Sequence, residues 1–83
     1  MREEILKKVV EIMVEQLRVN GEDVKEESCL RRDLHANEHD MAYIMNTVEE
    51  EFGVEILSSD IIDIETIEQM VDYIEQKLEE IAW

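Results

Sequence analysis

Apolar residues recur at three- and four-residue steps in three stretches of the chain, and that spacing predicts three amphipathic helices. Between about Glu3 and Arg18 the stripe is Leu6, Val9, Val10, Met13 and Leu17. Between about Glu38 and Phe52 it is Met41, Ile44, Met45, Val48 and Phe52. Between about Ile67 and Ile81 it is Ile67, Met70, Val71, Ile74, Leu78 and Ile81. Each stripe is wide enough to face a shared core. Proline is absent, and the only two glycines, Gly21 and Gly53, stand where the first two stripes run out. Asn20-Gly21 and Gly53 therefore read as helix terminators.

The helix starts are also legible. Thr66 and Gln69 have the Thr-x-x-Gln spacing of a capping box. Asn37 and Asp40 form a weaker version, with Asn37 as cap and Asp40 favourably placed in the first turn. Between the first two helices, residues 20–37 carry mixed signals and read as a long, partly ordered loop, pinned to the core by Val24, Leu30 and Leu34. Between Ile56 and Glu65, Ser58 or Ser59 is placed to cap a short helix holding Ile61 and Ile62. The expected fold is all-α: a four-helix bundle with three longer helices, a short third one and a long first loop.

Composition narrows the function. At 83 residues the chain is expected to be one domain. Its 45% hydrophobic content supports a packed core, while 37% charged residues give a formal net charge of −15. That charge repels phosphate backbones and anionic membrane surfaces. It suits a basic protein surface as partner and weakly favours a monomer. A single cysteine, Cys29, allows no internal disulfide and fits a reducing compartment; its simplest reading is a small apolar core residue of the loop. There is no charged-then-apolar leader and no long apolar run, so the expected location is the cytoplasm.

Several short strings share the order and spacing of a known family. Glu15-Gln16-Leu17 with Val19, Asp33-Leu34, Glu49-Glu50-Glu51-Phe52 with Glu55-Ile56, and Asp72-Tyr73-Ile74 lie in one ungapped register from about Glu15 to Ile74. In that register the chain resembles the acyl carrier proteins. The resemblance implies a carrier-type four-helix bundle that is not an enzyme. It also implies a phosphopantetheine arm on a serine within a Gly-Ala-Asp-Ser-Leu-Asp motif. Here those positions read His35-Ala36-Asn37-Glu38-His39-Asp40, so Glu38 occupies the phosphopantetheine-serine position and His39 follows it. A carboxylate cannot form the stable phosphodiester that a serine hydroxyl forms, and it repels the incoming diphosphate. No cofactor is therefore expected. Neither Cys29 nor the three serines, Ser28, Ser58 and Ser59, lies at the start of the second helix to replace it.

Two readings of Glu38 are open. It is a suitable residue for a first helical turn, where the helix dipole favours an anion by roughly 0.3–1 kcal/mol; or its charge stands in for the phosphate of a modified carrier. The resemblance makes the second helix a recognition surface whose acids meet basic partners. The matching partner-binding candidates are Glu38, Asp40, Tyr43, Glu49 and Glu50, with Tyr43 where the family often has another acid. The function expected is an acidic, carrier-like docking protein in fatty-acid, polyketide or related thioester metabolism. The alternative is a genuine acyl carrier whose arm sits on another residue, or in which Glu38 is a substitution of the usual serine. The five methionines read as ordinary core rather than as a pocket for an acyl chain. His35-Ala36-Asn37-Glu38-His39 also spells the His-x-x-Glu-His pattern of a group of zinc peptidases. That chemistry needs both histidines on one helix, and with Asn37 as the helix start His35 falls outside it, so no metal site is assigned.

Overall fold

The computed structural model describes residues 1–81. Among them are four α-helices: α1 (Arg2–Leu17), α2 (Glu38–Phe52), α3 (Ser58–Ile61) and α4 (Ile67–Ile81). A 3-10 turn over Gly21–Asp23 follows α1. α1 packs against both α2 and α4. The shared interior contains Ile5, Val9, Ile12 and Met13 of α1, Met41, Ile44, Met45 and Val48 of α2, and Ile67, Met70, Val71 and Ile74 of α4, all buried.

The apolar stripe of α1 is rotated from its expected centre. Ile5, Val9, Ile12 and Met13 are buried, whereas Leu6, Val10 and Leu17 lie at the edge, half-buried. The cause is the breadth of the apolar face: eight of the sixteen positions in α1 are Ile, Leu, Val or Met, so the pattern fixes the helix but not its most buried line. At the far end of α4, Leu78 is half-buried and Ile81 is exposed.

Helix ends follow local chemistry, with two departures from expectation. α1 stops at Leu17 because Arg18 takes the left-handed conformation (φ 57°) and its N–H donates to the Val14 carbonyl at 3.0 Å. Asn20 and Gly21 come after that stop. α3 takes Leu57, not Ser58 or Ser59, as its cap residue; both serines lie within the helix and Ile62 lies beyond it, exposed. Gly53 behaves as expected: at φ 66° it ends α2, a conformation open to glycine without a Cβ clash.

The long loop is packed, as its apolar anchors predict. Val24, Leu30 and Leu34 are buried. The backbone of this loop also completes α4. A helix leaves its first N–H groups without partners; here Ile67 N–H donates to the Ser28 carbonyl (3.1 Å) and Glu68 N–H to that of Glu26 (2.9 Å). Thr66 Oγ1 accepts from the Gln69 N–H (3.2 Å) while Gln69 Oε1 accepts from that of Thr66 (3.0 Å), closing the expected capping box. Leu30 N–H reaches the Glu65 carbonyl (2.9 Å). Arg2 ties the same region to α1, with contacts to Asp72 (2.6 Å), Glu26 (3.5 Å) and Glu75 (3.6 Å).

Candidate functional site

The candidate site is the first turn of α2 and the segment that delivers the chain to it. A tight turn comes first. Asp33 and Leu34 N–H groups both donate to the Cys29 carbonyl (2.9 and 3.1 Å), and the Asp33 carboxylate accepts the Cys29 N–H at 2.8 Å. That backbone hydrogen bond, with Arg32 beside it, holds the Asp33 carboxyl below its usual range. Cys29 is consequently half-buried and engaged through its backbone, bridged to Thr66, instead of being a core residue.

His35 follows in the left-handed region, φ 59°. A side chain there is uncommon, although histidine tolerates it better than most residues. Ala36 is buried and its N–H donates to the Leu30 carbonyl at 2.9 Å. The chain then enters α2 through a complete capping box. Asn37 Oδ1 accepts from the Asp40 N–H (2.8 Å) and Asp40 Oδ2 accepts from that of Asn37 (3.1 Å).

Glu38 is the first residue of α2 and its side chain is exposed. No aliphatic hydroxyl occurs from His35 through Ala42, so the residues at this helix start do not fit a phosphodiester-linked arm. Nor does the buried Ser28, whose hydroxyl accepts from the Lys25 N–H (2.9 Å) and donates to the Asp23 carbonyl (3.1 Å). Ser58 and Ser59 are exposed but belong to α3.

The other candidates do not share one face. At about 100° per residue, the outward stripe of α2 opposite its buried line is His39, Tyr43, Asn46 and Glu50, all exposed. Glu38 and Glu49 fall on one edge, and Asp40 on the opposite edge. Asp40 and Glu49 have structural duties as well. Asp40 closes the cap, and Glu49, half-buried, accepts the Ile56 N–H at 2.9 Å. The outward line His39–Tyr43–Glu50 thus includes His39, which the sequence reading assigned to no docking role. Helical spacing from Tyr43 would have found it.

His35 lies before the cap and His39 lies within α2, so the two histidines share no continuous helix face. No cluster of three or more metal-donating side chains occurs among the described residues. Met13, Met41, Met45 and Met70 are buried core residues. A groove of about 500 Å³ lined by Gly53, Glu55, Leu57, Lys77, Glu80 and Ile81 opens beyond the other end of α2 from Glu38.

A carrier-type helical bundle with its signature turn at the start of α2 is the class these features define. Residues 7–74 match the family model described as "Phosphopantetheine attachment site". The acyl carrier protein of Rubrobacter xylanophilus is 40% identical over 73 residues, covering 88% of this chain and 90% of that one. Among solved structures, the acyl carrier protein of Thermotoga maritima superposes with a TM-score of 0.84 at 30% identity, covering 96% of this chain and 93% of that one. That of Enterococcus faecalis does so at 0.80 and 32%, covering 93% and 98%. The chain belongs to the acyl carrier protein family. Members of this family are carrier proteins, not enzymes.

Proposed function

We propose that this chain is a non-carrying member of the family. In this reading it is a cytoplasmic, monomeric, acidic protein that docks onto a basic surface of an acyl-carrier-dependent enzyme and carries no phosphopantetheine. The observation that carries this reading is Glu38. A carboxylate heads α2, inside an intact capping box and with no aliphatic hydroxyl from His35 to Ala42. The helix start is capped while the group needed for attachment is absent. His39, Tyr43, Asn46 and Glu50 face outward along α2, and the −15 charge of the chain favours a basic partner.

In this reading Glu38 supplies a fixed negative charge at the helix N-terminus, where a modified carrier holds its phosphate. The chain then occupies a carrier's docking site without delivering a thioester. The test pairs two proteins with coenzyme A and a broad-specificity phosphopantetheinyl transferase. The unmutated chain is expected to keep its mass. The Glu38→Ser/His39→Leu double variant is expected to gain one phosphopantetheine unit if the remaining surface still suits the transferase. Loading of the unmutated chain refutes the proposal, and peptide mapping to Ser58 or Ser59 would identify the alternative attachment point. Glu38→Gln tests the charge separately: unchanged affinity for a carrier-dependent enzyme would leave Glu38 as only a helix-start residue.

A further inference from the structure

The helices α2 and α4 both end at one groove. Gly53 closes α2, Ile81 is the last residue of α4, and both line the same concavity of about 500 Å³. A helix C-terminus presents unpartnered carbonyl groups and the negative end of the helix dipole. Neither helix has a basic residue in its last turn to balance that charge. Two exposed carboxylates, Glu55 and Glu80, add to it from the groove wall. The basic residue of the lining, Lys77, is already engaged. Its ammonium lies 5.4 Å from the centre of the Tyr73 ring and 3.9 Å from Glu80 Oε2. Tyr73 is fixed in turn by donating its hydroxyl to Asp60 at 2.5 Å.

The same groove also exposes apolar surface. Leu57 and Ile81 both line it and are 49% and 59% exposed. Met1, Tyr43 and Ile62 are the other large exposed apolar side chains among the described residues, and none of them lines this groove. Exposed aliphatic side chains gathered in one concavity and rimmed by charge mark an interaction site. An apolar ligand alone would cover Leu57 and Ile81 but take Glu55 and Glu80 out of water without compensation. A cation alone would leave Leu57 and Ile81 in water. A ligand that joins an apolar side chain to adjacent positive charges satisfies both.

We propose that this groove is a second docking site, which takes a basic and apolar segment of a partner protein. A leucine-type side chain of that segment covers Leu57 and Ile81. The lysines or arginines beside it meet Glu55, Glu80 and the two helix ends. The groove contains none of the outward residues His39, Tyr43, Asn46 and Glu50. At about 1.5 Å per residue, the 15 residues of α2 separate it from Glu38 by about 20 Å. The site therefore does not depend on whether Glu38 bears an arm, and a partner held there leaves the first turn of α2 open.

Fluorescence anisotropy of a labelled Lys-Lys-Leu-Leu-Lys-Lys peptide with the full chain tests this. Salt at about 0.15 M screens the long-range attraction to the −15 charge. Leu57→Ser/Ile81→Ser changes no charge and alters only exposed positions. It is expected to bind the peptide about tenfold more weakly, the loss that follows from uncovering two half-exposed aliphatic side chains. Tyr43→Ser, which removes an exposed aromatic elsewhere, is expected to bind as the unmutated chain does. A Lys-Lys-Ser-Ser-Lys-Lys peptide is expected to bind weakly, and equally to all three proteins. Glu55→Gln/Glu80→Gln is expected to weaken binding more than Glu22→Gln/Glu27→Gln, which removes the same charge from exposed positions of the long loop. Equal affinity for the two peptides, or full affinity in Leu57→Ser/Ile81→Ser, would reduce the effect to bulk charge and overturn the proposal. Tighter binding on Trp83→Ala would assign the groove to the chain's own last residues. Dimerisation of the unmutated chain that Leu57→Ser/Ile81→Ser abolishes would assign it to a second copy. Either result overturns the proposal as well.

Discussion

Removing the cap of α2 is a direct probe of the turn that presents Glu38. Asn37 Oδ1 takes the Asp40 N–H at 2.8 Å, and the Asp40 carboxylate returns the favour to the Asn37 N–H at 3.1 Å. Both bonds are exposed, so water competes for each group and the gain stays well below that of a buried pair. Asn37→Ala should cost about 1 kcal/mol, the usual loss for an alanine at an N-cap. Asp40→Ala should cost somewhat less, combining one exposed hydrogen bond with a dipole contribution of about 0.3–1 kcal/mol. Because each side chain orients the other, the double variant should cost less than the sum of the two. For a domain of this size 1 kcal/mol corresponds to a fall in Tm of roughly 4–8 °C. Urea unfolding followed by far-UV circular dichroism gives these values directly. Asn37→Ser is the decisive control, because serine caps about as well as asparagine. If Asn37→Ser loses as much as Asn37→Ala, or if the single losses add without coupling, the box does not work as described.

The remaining predictions concern the loop and Tyr73. Leu30 is fully buried, so Leu30→Ala should cost about 2–5 kcal/mol, a large part of a small domain's stability; a cost under about 1 kcal/mol, in the range of a surface substitution, would mean the loop is not packed. Tyr73 titrates at about 12, raised by its partial burial and by its bond to Asp60. A Tyr43→Phe chain, which leaves Tyr73 as the sole tyrosine, should show its phenolate by ultraviolet absorbance near that pH; titration near the ordinary value of about 10 would contradict it. The sign for stability follows from the shift. The folded state favours the neutral phenol, so the contribution is intact below pH of about 10 and is lost as pH rises through about 12. Tyr73→Phe should flatten that alkaline loss.

Much of the fold was legible because it depends on local chemistry. Gly53 and the two capping boxes are decided by neighbours within four residues, and each lies where the spacing put it. Positions set by partners distant in sequence were harder. The rotation of α1 is chosen by what packs on it, and eight apolar residues around one helix leave several lines acceptable. Arg18 adopts a left-handed conformation that its residue type does not advertise. The serines of α3 looked like caps, but the chain turns one residue earlier, at Leu57. At the site, Glu38 at the head of α2 was readable from its neighbours Asn37 and Asp40. The fastening of Glu49 to Ile56, seven residues on, was not, because no periodic pattern encodes a side chain reaching across a helix end. The backbone of residues 26–28 completing the start of α4 was equally hidden, since carbonyl groups carry no sequence signature.

The central claim is that this chain is recognised as a carrier but loaded with nothing. Its most direct test is the intact mass of the unmutated protein purified from the cell that makes it, under conditions that preserve thioesters. The account predicts the mass of the bare polypeptide. A population heavier by phosphopantetheine, with or without an acyl group, would contradict it.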